Sequence, residues 1–509
     1  MNLNKKNIAI DIVISFFSAI LLRLAYPPIS FVTASIIAFV IILLRIRITY
    51  YPFIFGILVG SFFSMMLCSW MFNTILIHFN IGIISSIIFF ILIIGFIPSI
   101  SMGIFALLVS KAKKRFDYLS YIWIASVYTV LEWIRMTFSP EYGWGGLGSA
   151  FYLITEAMAF TRFVGGSGIS FFIIFVSGVL AGSLNYLVNK HFFKSVINVF
   201  TALFIVFVLY YTGSLINYEI AEMNGKKIDI RLIHSGIDNT NRWNTKFDSE
   251  SLSIYKELSR NSSYKNEDNT RLIIWPETAL TFCIQSNKNA ISEISEIANE
   301  NSAWIIVGSP SYSGYGEDRR YFNSAFLFSN EGKIKYRYDK KYPLLFAEKN
   351  MGVLNIKKNK GVFYDSGKTS NFIEIEDGIK LGFAICYEIG NSNLIHSAVK
   401  QGAQIIVNIS NDAWFDNSSE SVQQLSILAL RCAEFGCFGL RSTSYGISAL
   451  IDFQGRIIKS SDISEKCTLS ATIELFNLKP TFYSMFKDWF VIVCGFFILV
   501  IFLFSLRSC

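Results

Sequence analysis

Leu381-Gly-Phe-Ala-Ile-Cys386-Tyr-Glu388 is a short apolar run that stops abruptly on a thiol, an aromatic ring and a carboxylate. A run of this length, bounded in this way, reads as a buried strand. The cysteine at its carboxyl end has two readings. Free cysteine is among the most buried residue types, and on this stretch alone a core thiol is the stronger one. The same edge is where layered α/β enzymes place their chemistry, which makes Cys386 a candidate nucleophile.

Working outward, strand-like and helix-like segments alternate from Lys226 onward. Ile228–His234 reads as a strand, 249–259 as an amphipathic helix, and Arg271–Glu277 as a buried strand stopped by Pro276. Helix follows at 289–300, a strand at Trp304–Gly308 and a hairpin around Asn330-Glu-Gly332. Beyond the opening stretch come a strand at 403–410, a helix at 419–435, and two or three strands from Gly439 to Leu475. This order predicts an α/β or sandwich domain with helices outside. At about 260 residues it is long enough to bury a full core.

The rest of the chain is of a different kind. Of 509 residues, 52% are hydrophobic and only 16% charged, with mean hydropathy +0.45; soluble domains carry roughly 25% charge. Almost all acidic residues lie beyond Tyr218, so the composition predicts a membrane part followed by a globular part. The net charge of +8 does not argue for nucleic acid, because many basic residues flank apolar spans. Candidate spans are 8–26, 29–44, 51–70, 82–110, 119–136, 168–188, 195–215 and 488–506. The first has no small-residue cleavage site after it and reads as a retained helix.

With the N-terminus in the cytoplasm, eleven basic residues near the span ends fall inside, against Arg23, Arg135 and Arg162 near the outer side. The predicted organisation is a seven-helix bundle at 1–215, an extracytoplasmic domain at 216–487, and a last transmembrane helix at 488–509. Seven helices exceed what anchoring needs, which suggests a bundle that shapes a lipid-accessible site. Within it, Glu132 and Arg135 read as an inward-facing structural pair. The loop Gly143-Trp-Gly-Gly-Leu-Gly148 suits the headgroup level.

Several chemistries are poorly supplied. The eight cysteines show no CxxC spacing, the four histidines make no HExxH or His-x-His pattern, and there is no GxSxG. No metal and no cofactor is expected. What remains are three polar residues that end or follow apolar strands: Glu277, Lys340 and Cys386. A thiol of ordinary pKa about 8.5 needs a base or a nearby cation to become a thiolate. A buried carboxylate can take that proton, and a lysine ammonium can face a tetrahedral oxyanion. Taken singly, each is also a plain surface charge or a core thiol.

Trp275-Pro-Glu277, Tyr338-x-Lys340 and Cys386-Tyr-Glu388, in this order, resemble the Glu-Lys-Cys triad of the nitrilase superfamily. The wider chain resembles the bacterial apolipoprotein N-acyltransferases, through the helix layout, Leu131-Glu-Trp133, Phe346-x-Glu348, Ser410-Asn-Asp-Ala-Trp-Phe415 and Arg441-Ser-Thr443-x-x-Gly446. The resemblance implies an αββα nitrilase-like sandwich carried by an α-helical bundle of about eight transmembrane helices, in the bacterial inner membrane and facing the periplasm. It implies Glu277 as general base, Lys340 as oxyanion stabiliser and Cys386 as nucleophile, with Glu348, Tyr387, Glu388, Trp243 and Trp414 supporting the site or lining it.

The reaction it implies is ping-pong. Cys386 takes the sn-1 acyl chain of a membrane phospholipid as a thioester and passes it to the α-amine of a diacylglyceryl-apolipoprotein. The chain departs from the family pattern at Tyr342, Ala347, Gln424 and Ser444, and at Ile233-His-Ser-Gly. The segment from Phe346 to Tyr364 has the composition of a lid on the headgroups. Two rivals use the same chain differently: a membrane-tethered nitrilase or amidase-type hydrolase with water as acceptor, and a non-catalytic scaffold or channel.

Overall fold

The structure, a computed structural model, describes residues 2–78, 82–111, 117–138, 144–219, 225–238, 247–260, 269–344, 348–349, 363–476 and 479–507. The chain divides into two compact units, one of residues 1–75, 82–221 and 481–509, the other of 76–81 and 222–480.

The first unit is helical. Its helices are apolar around most of their circumference, and large side chains such as Phe200, Phe204 and Phe496 are exposed on them. Such surfaces are stable in a hydrocarbon environment and not in water. Among the described residues, four helices are long and apolar enough to cross a membrane, at 7–25, 83–111, 155–188 and 192–216. Pro52–Leu67 and Trp70–Ile77 make a fifth if their 69° bend lies within one span. Thr33–Ile46 and Trp489–Phe504 are apolar but shorter. By length and composition, then, fewer spans qualify than the eight expected. Apolarity alone does not reveal where a helix breaks or begins. The expected span at 51–70 is interrupted around Cys68, and that at 168–188 follows a kink at Gly165, whose φ of +67° breaks it from the helical turns that begin at Thr155.

Several polar groups in this unit are paired. Arg45 Nε meets Asp11 Oδ1 at 2.6 Å, and Thr49 Oγ1 donates to Asp11 Oδ2 at 2.6 Å, tying the first helix to the second. Glu132 and Arg135 hold one loop together. Glu132 Oε1 accepts from Leu147 N at 2.9 Å, while Arg135 Nη1 donates to Trp144 O at 2.6 Å. Tyr26 adds its hydroxyl to Gly145 O at 2.8 Å. Backbone groups of the loop thus find partners where water is scarce. A cavity of about 80 Å³ lies beside them, lined in part by Leu67, Phe105 and Tyr128.

The second unit is a sandwich of two six-stranded sheets. One sheet holds β1 (Lys226–His234), β2 (Thr270–Ile274), β3 (Ala303–Ser313), β4 (Arg320–Phe328), β5 (Ile334–Asp339) and β12 (Cys467–Leu475), in the order β12-β1-β2-β3-β4-β5. The other holds β6 (Phe372–Glu374), β7 (Lys380–Ile385), β8 (Ile405–Ser410), β9 (Phe438–Thr443), β10 (Ala449–Ile451) and β11 (Ile457–Ser460), in the order β11-β10-β9-β8-β7-β6. β1, β2 and β3 are parallel, as are β7, β8 and β9. Two antiparallel steps, β3 to β4 and β4 to β5, return β5 to the direction of β3.

Continuous burial along β7 and β8 is what strands covered on both faces require. The sheets meet face to face: Tyr338 on β5 stacks on Phe383 of β7 at 5.9 Å, and Ser442 Oγ on β9 donates to Ile233 O at 2.9 Å. Helices Phe247–Arg260 and Lys288–Asn301 cover the first sheet through Tyr255, Ile294 and Ile297, packed with Trp275, Ile305 and Phe326. Helices Ser392–Lys400 and Glu420–Phe435 belong with the second sheet. The layers are therefore α, β, β and α. The parallel strands deliver the carboxyl ends of β2, β5, β7 and β8 to one edge.

Candidate active site

Glu277, Lys340 and Cys386 each stand just past the end of one of those strands. Trp275 continues the pairing of β2, its N–H on Ile306 O at 2.8 Å. It stacks on Tyr255 at 5.0 Å and donates Nε1–H to Ser259 Oγ at 2.9 Å, which anchors it to the helix layer. Pro276 then ends the strand. Glu277 lies close against Gly308 of β3, where a Cβ would stand 2.2 Å from Pro276 O and 2.7 Å from Glu277 Cα. Only glycine admits that approach. Glu277 is buried and its two oxygens are engaged: Oε1 by Asn323 Nδ2 at 2.6 Å and Lys340 Nζ at 3.3 Å, Oε2 by Asn411 N at 2.8 Å.

Lys340 follows β5, registered by its N–H on Asn323 O at 2.8 Å. Its ammonium, 2% exposed, reaches Glu277 Oε1 and, at 2.8 Å, Glu348 Oε2, and lies 5.4 Å from the centroid of the Tyr387 ring. Cys386 follows β7 with φ at +54°, a left-handed backbone that a side chain rarely adopts and that clusters at functional sites. Gln424 Nε2 lies 3.7 Å from its Sγ.

Electrostatics separate the two carboxylates that share Lys340. Burial and the neighbouring Glu348 charge push Glu277 up, against the pull of Lys340. Glu348 is held low: burial raises it, but Lys340 and the Leu344 N–H outweigh that. Lys340 stays firmly protonated, since Glu277 and Glu348 overcome the opposing effect of burial. Burial and Glu277 push the Cys386 thiol up, while Lys340 draws it down. The arrangement is thus a neutral thiol, a carboxylate of raised proton affinity and a fixed cation. Two acids pushed apart by their surroundings are the usual mark of divided acid-base roles.

The supporting residues fall in three groups. Glu348 pairs directly with Lys340, and Tyr387 donates its hydroxyl to Tyr342 O at 2.6 Å. Glu388 does not touch the ammonium in any described hydrogen bond. It clamps the backbone, accepting from the N–H groups of Lys341 (2.8 Å), Tyr342 (3.0 Å) and Ile385 (2.8 Å), and from the Tyr338 hydroxyl. That ties the end of β5 to the end of β7, with burial pushing the carboxyl up to about 7. Trp414 is half-buried in the turn Asp412–Phe415 after β8. Trp243, Phe346, Ala347 and most of the expected lid lie outside the described residues, as does Gly143.

Sequence reasoning missed Asn323, which bridges Glu277 and Glu348 at 2.6 and 2.8 Å. Its signal was a polar Asn323-Ser324 pair inside an otherwise apolar strand. It also missed the buried network behind Cys386, in which Arg441 Nη2 meets Asp412 Oδ2 at 2.7 Å and Ser421 Oγ bonds the same oxygen. Gly446 makes room for that network, since a Cβ there would lie 2.0 Å from Asp412 Oδ2. Gly446→Ala is expected to cost about 1–3 kcal/mol in a denaturant melt, by displacing a buried hydrogen-bonded charge. No group of three or more His, Cys, Asp or Glu side chains able to hold a metal ion occurs among the described residues.

Residues 248–481 match the carbon-nitrogen hydrolase family, and residues 18–179 match the apolipoprotein N-acyltransferase N-terminal domain. The apolipoprotein N-acyltransferase of Geobacter metallireducens is 27% identical over 72% of this chain and 70% of its own. That of Haemophilus ducreyi is 25% identical over 77% and 76%, and apolipoprotein N-acyltransferase 2 of Treponema denticola 26% over 79% and 80%. A hydrolase-type sandwich alone would leave the chain anywhere in a broad superfamily. An apolar helical unit that matches the N-terminal domain, joined to that sandwich in one polypeptide, narrows it. The chain is a membrane protein similar, over most of its length, to the apolipoprotein N-acyltransferases.

Proposed function

We propose that this protein transfers an acyl chain from a membrane phospholipid, through a thioester on Cys386, to the α-amine of an N-terminal diacylglyceryl-cysteine. The observation that carries the reading is the buried Glu277–Lys340–Glu348 cluster beside a strand-end thiol, in a chain whose other half is membrane-type helix. Glu277 takes the Sγ proton as the sulfur attacks the sn-1 ester carbonyl. The carbonyl oxygen becomes an oxyanion facing the Lys340 ammonium. Collapse breaks the ester C–O bond, and Glu277 returns the proton to the departing lysophospholipid alcohol.

In the second half the amine attacks the thioester. Glu277 takes the amine proton and passes it to the leaving sulfur as the C–S bond breaks, which restores both the thiol and the carboxylate. A thioester is reactive toward amines yet persists where water is kept out, which suits transfer better than hydrolysis. Eleven basic residues on one side of the spans support an orientation that leaves the sandwich outside the cytoplasm, in the periplasm. The boundaries 1–215, 216–487 and 488–509 describe that division.

The test is direct. Purified protein incubated with labelled phospholipid is expected to carry a hydroxylamine-sensitive acyl adduct, absent in Cys386→Ser. Addition of a diacylglyceryl peptide with a free amine is expected to move the label to the peptide. An adduct lost only to water would identify a hydrolase, and no adduct would reject acyl transfer through this thiol.

A further inference from the structure

We propose that Gln424 is a catalytic hydrogen-bond donor to the Cys386 thiolate, aimed at the sulfur by Arg441. The proposal rests on Cys386 being the nucleophile and adds a residue to that site.

An amide side chain is oriented by its partners. Arg441 is only ever a donor, so its Nη1, 2.9 Å from Gln424 Oε1, fixes which end of the amide is oxygen. The –NH2 end must then point the other way, where it lies 3.7 Å from Cys386 Sγ and also donates to Glu420 Oε1. Arg441 is itself fixed. It is fully buried, with Nη2 on Asp412 Oδ2 at 2.7 Å, Nε on Ile447 O at 3.2 Å and Nη1 also on Asn408 Oδ1. Asn408 in turn donates Nδ2–H to Cys386 O at 3.1 Å. One guanidinium therefore positions both the backbone and the sulfur contact of the same residue.

The chemical consequence follows from the acceptor. A neutral thiol accepts a hydrogen bond weakly, whereas a thiolate accepts a charge-assisted one. The bond therefore gains strength when the proton leaves and again when the thioester C–S bond breaks. Charges around the sulfur make that gain necessary. Glu277 faces it from the end of β2, Asp412 from the end of β8 and Glu420 from the helix Glu420–Phe435, all opposing a negative sulfur. Lys340, from the end of β5, favours it. Arg441 approaches from β9 through Gln424, and Tyr387 and Glu388 belong to the same turn as the thiol. Glu420 is buried, its Oε2 has no described hydrogen-bond partner, and burial and the nearby Asp412 push its carboxyl up.

The experiment measures the thiol without needing any acyl donor. The full-length protein in detergent is treated with iodoacetamide across a pH series, and alkylation of the Cys386 peptide is followed by mass spectrometry. Gln424→Leu and Gln424→Glu are expected to move the titration to higher pH and slow alkylation about tenfold at a fixed pH below it. Gln424→His, which retains an N–H donor, is expected to recover most of the rate. If Gln424→Leu fails to fold in a thermal melt, the near-isosteric Gln424→Glu carries the test. Profiles for the Leu and Glu variants that coincide with that of the parent protein would overturn the proposal. Absence of a phospholipid adduct in the parent, with a shifted profile in the variants, would instead reject the acyl-transfer reading and leave the donor role standing.

Discussion

Glu277→Gln is expected to slow acyl-enzyme formation about 10²–10⁴-fold while leaving the fold intact. The glutamine keeps the shape that lies against Gly308 and one oxygen, which serves either the Asn411 N–H or the Asn323 and Lys340 donors, but it cannot take the thiol proton. Single-turnover transfer from labelled phospholipid measures the rate, and a thermal melt measures the fold. The parent enzyme's pH profile follows from the same group. In the proposed role Glu277 acts only when ionised, and burial raises its pKa. Activity is therefore lost as pH falls through that raised value, so the acid limb sits above the ordinary carboxylate value of about 4.3. Gln at 277 removes the group and with it the limb. A variant with near-parental rate and the same acid limb would show that another group is the base.

Lys340→Met is expected to damage both rate and stability. The ammonium lies between buried Glu277 and half-buried Glu348, and removing one partner of such a cluster leaves charge uncompensated, at about 3–5 kcal/mol. Its loss also removes the cation facing the oxyanion, worth about 10²–10³-fold in rate for a donor of this kind. The two effects separate. In Lys340→Met with Glu277→Gln, one of the two stranded carboxylates is gone. The double variant is therefore expected to be more stable than Lys340→Met alone and no more active. Denaturant melts of the four proteins in the cycle give the coupling. Additive stabilities would mean that the Glu277–Lys340 contact at 3.3 Å contributes nothing beyond geometry.

The strands and helices around Cys386 were readable because burial imprints itself on local pattern. Leu381–Ile385 is continuously apolar since β7 is covered on both faces, and Pro276 marks the end of β2 because it cannot continue a ladder. The membrane character was equally plain. Helix limits were not: whether 51–70 is one span or two segments with a 69° bend depends on packing that no window of hydropathy contains.

Residue types and order along the chain were thus sufficient to select a thiol, an acid and a lysine at strand ends, and to separate a lipid-facing half from a globular half. Distances between them were not in the order of residues. Lys340 and Glu277 are 63 positions apart, and Asn411 reaches Glu277 across 134. The order β2-β3-β4-β5 gathers Glu277 and Lys340 at one edge of the first sheet, and face-to-face packing of the second sheet brings Asn411 to them. Hydrogen-bond direction came from folding as well: Glu388, expected only to support the site, is a clamp on three backbone N–H groups. Gln424 looked like a departure from a family pattern and is the amide that faces the sulfur. The physical reason is the same throughout. Apolar burial is a property each segment carries alone, whereas a polar side chain's role is set by whichever donors and acceptors the fold places around it.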